Sequence, residues 1–260
     1  MMKKTVILLI CVFLTAVAVP AYSQGKDVSV FFVTGDVKIV RAGSNTGIAC
    51  EKGMPLHAGD WIKTGPDSSV TLAFDKAAEN VITIEEDSLI VIKLDGYFKV
   101  QLMRGEMFAI LENVESGETF RVLTPSAVTE SLSSGWGAST DGVCTNVVVF
   151  DNRVFVCGIN EEGKVDEKKY WIEEGYQRKV ITFEDPGKLE SVPEAAVSWF
   201  KEQVVAHHLA KVEEKEKYEG DPDTLMGEEG DVSDEGRKRA ADTDEEVDLV
   251  EYLYKQRLKQ

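Results

Sequence analysis

Two neighbouring stretches, Ser69-Val-Thr-Leu-Ala-Phe74 and Val81-Ile-Thr-Ile84-Glu-Glu-Asp-Ser-Leu89-Ile-Val-Ile-Lys93, decide the fold class of this chain. In Val70–Phe74 and Val81–Ile84 an aliphatic or aromatic side chain recurs at every second position, with small or polar residues between. That period of two belongs to an extended strand with one buried face, because successive side chains of a strand point to opposite sides. Working outward, the same pattern gives candidate strands at Val28–Val33, Val37–Arg41, Trp61–Lys63, Leu89–Lys93, Phe98–Met103, Met107–Ile110, Thr119–Leu123, Val143–Phe150, Arg153–Val156 and Gln177–Thr182. Turn residues punctuate them: Thr34-Gly35-Asp36, Ala58-Gly59-Asp60, Gly65-Pro66-Asp67, Asp95-Gly96, Arg104-Gly105-Glu106 and Ser116-Gly117. Strand signals every ~8–12 residues, with no long helical period between them, predict an all-β domain over residues 24–186. Within it, Val143–Phe150 and Arg153–Val156 read as a hairpin around Asp151-Asn152, with Phe150 opposite Arg153 and Asn146 opposite Cys157.

The chain has 260 residues, and 29 Lys+Arg against 46 Asp+Glu give a net charge of −17. That sign excludes a nucleic-acid partner, since phosphate backbones are bound by clustered cations. A hydrophobic share of 43% supports a real core.

Residues 1–23 read as a secretory signal peptide. Lys3 and Lys4 lead, Thr5–Val19 is apolar, and Ala21-Tyr22-Ser23 supplies small residues for cleavage before Gln24. The rival reading, an uncleaved anchor, is disfavoured because the apolar run falls short of the ~20 residues a spanning helix needs. A lipid anchor is disfavoured too, because Ile10 precedes Cys11 where a small residue is required. The expectation is export to the periplasm or the extracellular cell surface, with no stable membrane span after cleavage. Removal of Lys3, Lys4 and Cys11 leaves 27 − 46 = −19 charges and three cysteines, Cys50, Cys144 and Cys157. The hairpin reading sets Cys144 diagonal to Cys157 at ~7–8 Å between α-carbons, wide for a disulfide, so unpaired buried thiols are expected.

Beyond Pro186 the period changes. An amphipathic helix is expected over 187–218, started by Ser191-Val-Pro-Glu194 with Ser191 as cap, and carrying the stripe Ala196, Trp199, Phe200, Gln203, Val204, His207. The stripe can dock on the β domain or enter a partner's groove, and self-docking is preferred. Residues 219–246 are rich in Glu, Asp and Gly and poor in large apolar groups, and are expected to be a disordered acidic linker. Residues 247–260 form a short amphipathic segment whose Leu249, Val250, Leu253, Tyr254 and Leu258 suggest a docking helix; a frayed tail is the equal alternative.

The β region resembles the FecR domain, the extracytoplasmic domain of iron-siderophore signalling regulators. Val33-Thr-Gly35-Asp-Val37 resembles the family's opening Gly-x-Val strand. Gly53-Met-Pro-Leu56-His-Ala-Gly59-Asp60-Trp-Ile-Lys-Thr64-Gly65 resembles Gly-x-x-Leu-x-x-Gly-Asp-x-Ile-x-Thr-Gly. Leu102-Met-Arg-Gly105-Glu-Met107 and Phe120-Arg-Val-Leu-Thr124-Pro125-Ser-Ala-Val128 are similar to two later steps, and Val147–Val156 to the closing hairpin. The match spans residues 28–158. It departs at Ser131-Leu-Ser-Ser-Gly-Trp136, where the family has a Val-Arg-Gly-Thr-x-Phe-like element, and at the N-terminus, where regulators carry an anti-sigma domain and a membrane span. The resemblance implies an elongated, solenoid- or sandwich-like β fold and a binding role; it leaves sigma-factor signalling open. Read without the family, Gly53, Gly59 and Gly65 fit tight turns, Asp60 can bind turn amides, and Thr124-Pro125 sets an extended entry to a bend.

Candidate chemistry is sparse. Gly158-Ile-Asn-Glu-Glu-Gly-Lys164 matches the start of a nucleotide loop, but Val165 stands where Ser or Thr must bind magnesium. Asp221-Pro-Asp223 opens like a calcium loop, yet Met226 occupies the obligatory glycine position. His207 and His208 diverge on a helix, His57 stands alone beside a turn, and Glu85-Glu86-Asp87 reads as a solvated loop. No catalytic residue, cofactor or metal site is expected. The sequence thus points to a non-enzymatic exported interaction or ligand-sensing module with an unidentified envelope or periplasmic protein partner. It would bind through sheet edges, and an acidic exterior would favour cationic partners. A passive structural adaptor, or an envelope-polymer enzyme, are the alternatives.

Overall fold

The structure, a computed structural model, describes residues 28–114 and 119–219, the side chains of 214–219 excepted. The leader, the acidic linker beyond Glu219, the terminal segment with Leu249, Val250, Leu253, Tyr254 and Leu258, and the Ser116-Gly117 turn lie outside the described residues.

The chain is mainly β. In order come β1 (Val28–Thr34), β2 (Val37–Val40), β3 (Gly47–Ala49), β4 (Pro55–Leu56), β5 (Trp61–Thr64), β6 (Ser69–Ala73), β7 (Asn80–Ile84), β8 (Leu89–Ile92) and β9 (Val100–Leu111). Then follow β10 (Phe120–Leu123), β11 (Ala127–Ser131), β12 (Ser134–Thr140), β13 (Cys144–Asp151), β14 (Arg153–Gly158), β15 (Tyr170–Glu173), β16 (Tyr176–Ile181), β17 (Leu189–Ser191) and one helix, α1 (Glu194–Glu219).

Strand pairing resolves into two sheets that share β9. Sheet A runs β4-β1-β6-β7-β9-β12-β13-β16-β17. Sheet B runs β3-β2-β5-β8-β9-β10-β11-β14-β15. Their inward faces meet in one core: Val30, Leu72, Ile82, Met107, Trp136 and Val147 from sheet A; Ile39, Ile62, Ile90, Leu102, Val122 and Ile172 from sheet B. The alternating sequence pattern is thereby explained, because each strand buries one face between the sheets.

The chain repeatedly steps from one sheet to the other at a corner. In the first half the corners are Gly35-Asp36, Gly65–Ser68, Glu85–Ser88 and Gly105. In the second half they are Leu132-Ser133, Asn152 and Glu174-Gly175. The two sets lie at opposite edges. Gly105 is opposite Thr140 in the β9–β12 ladder, whereas Ser134, next to its own corner, is opposite Leu111. The switch is made by β10, which inserts into sheet B parallel to β9.

Two expectations are corrected here. Arg104-Gly105-Glu106 is not a turn between two strands: β9 continues through it, pairing with β8 before Gly105 and with β7 and β12 after it. Asp151-Asn152 does not close a hairpin. β13 pairs with β12 and β16, β14 with β11 and β15, so Asn146 is opposite Lys179 and Ser139, and Cys157 is opposite Val128. A two-residue turn and a sheet-to-sheet corner use the same turn residues, and alternation does not say which sheet a strand joins. Cys50, Cys144 and Cys157 are free thiols.

Helix α1 lies on the outer face of sheet A. Phe200, 3% exposed, stacks on Phe150 at 4.6 Å between ring centroids and meets Phe108 edge-on. Ala73, Ala78, Val81 and Ile110 complete this second apolar layer. Room for the ring comes from Gly135, where a methyl group would run into Phe200. This is the stretch that departs from the family pattern, so here the glycine serves helix docking. At the far end His207 Nε2 bonds the Ala78 carbonyl (2.8 Å), and Glu112 takes His208 and Lys211. Ser191 is a strand residue opposite Tyr176 and not the cap; the Pro193 carbonyl accepts from Ala196 and Val197.

Candidate functional site

The corners of the first half are built by a device that occurs twice. Ser68 donates its hydroxyl to the Pro66 carbonyl (2.9 Å) and accepts the Asp36 amide (2.9 Å). Ser88 donates to the Glu86 carbonyl (3.0 Å) and accepts the Glu106 amide (2.9 Å). In both, the aspartate before the serine has positive φ (Asp67 49°, Asp87 52°), and the serine sits beneath a glycine of positive φ (Gly35 74°, Gly105 94°). A Cβ on Gly35 would come within 2.9 Å of Ser68 Cβ, and one on Gly105 within 2.6 Å of Ser88 Cα. Both glycines therefore serve backbone shape and close approach. The two serines escaped the sequence reading, although Asp-Ser immediately before a strand occurs at both places.

The remaining signature residues are distributed through the scaffold. Val37 and Leu56 are core residues. Gly53 and Gly59 donate to the Val30 and Ile92 carbonyls (both 2.7 Å), and Gly65 to Asp36 (2.9 Å). Thr64, fully buried, donates to the Glu85 carbonyl (2.6 Å) and accepts the Ser88 amide (2.9 Å). Thr124 accepts the Ala127 amide (2.9 Å) and contacts the Thr145 hydroxyl (2.8 Å), with Pro125 half-buried in the β10–β11 turn. Asp60 is buried, and burial alone would raise its pKa. The His57 amide (3.0 Å), the Arg41 guanidinium (2.6 Å) and the Ala42 amide (3.1 Å) outweigh that and hold it below the usual carboxylate range. Asp60 thus clamps its own turn at His57 to the Arg41-Ala42 turn.

Of these signature positions only Gly105 lines a cavity of about 1040 Å³ that opens over sheet A beside the start of α1. Its walls carry six carboxylates, Asp67, Glu85, Glu86, Asp87, Glu106 and Asp141, with Ser139, Asn146, Cys144 and Trp199, and no Lys or Arg. Two of the carboxylates hold backbone: Glu86 accepts the Asp67 amide (2.8 Å) and Asp141 the Val143 and Cys144 amides (both 2.8 Å). Burial raises the pKa of Glu85, with Glu106 and Glu86 adding repulsion, and burial raises Glu106 as well. Among the described residues no cluster of His, Cys, Asp or Glu is arranged to hold a metal. Glu85-Glu86-Asp87 is accordingly not a wholly solvated loop, since Glu85 is half-buried and repelled by Glu106.

The outer face of sheet B is different in kind. Ladder register aligns Val40, Trp61, Val91, Gln101, Leu123, Val128 and Cys157 in one row across seven strands. One border of this apolar row is Lys38-Lys63-Leu89-Arg104. The other is Lys93-Lys99-Arg121-Glu130-Phe155-Trp171. Arg121 stacks over Tyr97 and Arg153 over Trp171, while Glu130 takes both Arg121 (3.0 Å) and Lys169 (3.0 Å). Trp61, Tyr97 and Trp171 remain 40–48% exposed. A cationic, apolar face stands beside the acidic exterior expected of a chain of net charge −17.

Residues 60–155, from the Asp60 clamp to β14, match the family described as FecR protein. Those residues are similar to the FecR family. Two crystal structures of a candidate anti-sigma factor from Parabacteroides distasonis ATCC 8503 are similar to it. One is 14% identical, covers 52% of this chain and 59% of that one, and has a TM-score of 0.39. The other is 16% identical, covers 63% and 61%, and scores 0.31. The chain thus spans about three-fifths of those structures. No curated protein matches it. Among the described residues no helix is long and apolar enough to cross a membrane.

Proposed function

We propose that this FecR domain is a non-enzymatic binding module, exported to the periplasm or cell surface, whose contact surface is the outer face of sheet B. The observation that carries the reading is the apolar row running between two cationic borders. Burying the accessible part of that row, Trp61 with the half-buried Val40 and Leu123, on a partner removes apolar area from water, at roughly 25 cal/mol per Å². The flanking lysines and arginines orient and attract an acidic partner. On the same face Arg121 and Lys169 pair with Glu130, and Arg153 stacks on Trp171. The partner is an envelope protein presenting an acidic, amphipathic surface.

The test is recovery of that partner on immobilised full-length chain at increasing salt. Lys38→Glu/Lys63→Glu is expected to lower recovery by an order of magnitude or more, and salt to do the same for the native chain, since exposed charge attraction is screened over about 8 Å at physiological ionic strength. Recovery indifferent both to salt and to the double substitution overturns the proposal.

A further inference from the structure

We infer that the acidic partner of sheet B is a second copy of this chain, paired about a two-fold axis along the first-half corner edge, so that each copy's Lys38-Lys63-Arg104 border meets the other's carboxylate-lined cavity. The inference rests on that border belonging to the contact surface and adds what occupies it.

The path of the chain sets opposite charges on the two sides of one edge. Arg104 ends the part of β9 that pairs in sheet B, Gly105 is the corner, and Glu106 begins the part that pairs in sheet A. Lys63, near the end of β5, precedes the Gly65–Ser68 corner, which holds Asp67. Glu85, Glu86 and Asp87 make the corner between β7 and β8. The cationic border therefore lies on the sheet-B side of the edge and the cavity on the sheet-A side, a few residues of chain apart. A half-turn about an axis running along the edge brings the sheet-A side of one copy beside the sheet-B side of the other. Both patches are then matched twice in one closed, isologous interface.

Neither patch is neutralised within its own copy. Among the described residues Lys63 and Arg104 form no ion pair, and Lys38 has Asp36 at 3.5 Å, both well exposed. The border thus carries 3 − 1 = +2. None of the six cavity carboxylates pairs with a Lys or Arg among the described residues. The next cation beyond their wall is Lys179, opposite Asn146 in the β13–β16 ladder. Burial and mutual repulsion already hold protons on Glu85 more tightly than usual, so cations brought from outside relieve a strain the single copy cannot. Apolar groups accompany the charges. Leu89 stands half-buried between Lys63 and Arg104, while Val143 (60% exposed) and Trp199 (40% exposed) stand at the cavity. The Trp199 ring offers a face to an incoming guanidinium or ammonium group.

The experiment is sedimentation equilibrium of the full chain: native, Lys38→Glu/Lys63→Glu, Glu85→Lys/Glu106→Lys, and the two variants mixed in equal amounts. Circular dichroism and unfolding midpoints check that each variant is folded. The native chain is expected to dimerise, with a dissociation constant that rises at least tenfold between about 50 and about 500 mM salt. Each variant alone should associate at least tenfold more weakly, and the mixture should recover a 1:1 dimer, because the reversed charges are then complementary again. If Glu85→Lys/Glu106→Lys does not fold, the exposed Lys38→Glu/Lys63→Glu pair decides alone: an unweakened dimer overturns the inference. A native dimer indifferent to salt, or two variants that dimerise separately but not together, also overturns it. A native chain that stays monomeric, yet still loses its partner on Lys38→Glu/Lys63→Glu, overturns the second copy as occupant and leaves the contact surface standing.

Discussion

The two outer faces of the sandwich have opposite fates. Sheet A turns its outer face to α1, which seals Phe108, Ile110 and Phe150 under Phe200 and is latched by His207 and by Glu112. Sheet B leaves Trp61 exposed and Val40 and Leu123 half-buried on its outer face, with Val91, Val128 and Cys157 buried in the same row, and fences them with cations. Apolar area of one kind is stability on the first face and binding capacity on the second. The two faces therefore predict opposite mutational profiles.

The largest expected effect is on the covered face. Phe200→Ala should cost about 3 kcal/mol in urea unfolding, as truncation of a buried aromatic does, and Gly135→Ala should weaken the same contact from below. Trp61→Ala on the open face should cost about 0.5–1 kcal/mol, while partner recovery falls. Comparable stability losses at both sites would erase the contrast.

A second contrast concerns the corners. Gly105→Ala forces a side chain into positive φ against Ser88 and should cost about 2 kcal/mol. Asn152, at φ 60° in the second-half corner, holds the Ser133 carbonyl through Nδ2 (2.8 Å) on an exposed surface, and Asn152→Ala should cost about 1 kcal/mol. Chemical denaturation of the pair shows whether the serine-locked corners are the stiffer set.

The smallest effects are in pH dependence, and their signs oppose. The folded pKa of Glu85 is raised above its ordinary 4.5, so the folded state holds more protons in that window. The stability from Glu85 is fully present below pH 4.5 and is lost as pH rises through the raised value. Glu85→Gln should flatten that slope and leave the neutral-pH protein slightly more stable. Asp60 is depressed below 3.8, so its contribution is present above that pH and lost on further acidification. His207 is lowered from 6.5 by burial against Phe31 and sheet A, so helix docking should weaken as pH falls below about 6.5. Thermal midpoints of native chain, Glu85→Gln and His207→Gln across pH 2–8 separate the three, with the Asp60 loss common to all of them below pH 3.8.

Much of the scaffold was legible from residue alternation, since most candidate strands coincide with observed ones. Alternation reports inside against outside but not which sheet, so Gly105 and Asp151-Asn152 were assigned the wrong connections. Ser134–Thr140 was missed because glycines and small residues carry little strand signal. Here they make room for Phe200 and bury Trp136. The sheet-B face was invisible for a related reason. Trp61, Gln101, Leu123 and Cys157 come from strands far apart in sequence, and only the ladder register sets them in one row. The charge total concealed it as well, because a net of −17 averages an acid-lined cavity on one side with cationic borders on the other.

The most direct measurement is site-specific photocrosslinking in the native envelope, with the probe placed at Gln101 on sheet B or at Lys201 on α1. A discrete protein adduct from Gln101, absent from Lys201 and lost with Lys38→Glu/Lys63→Glu, is the predicted result. An adduct from Lys201 with none from Gln101 would mean that the helix-covered side makes the contact and would contradict the account.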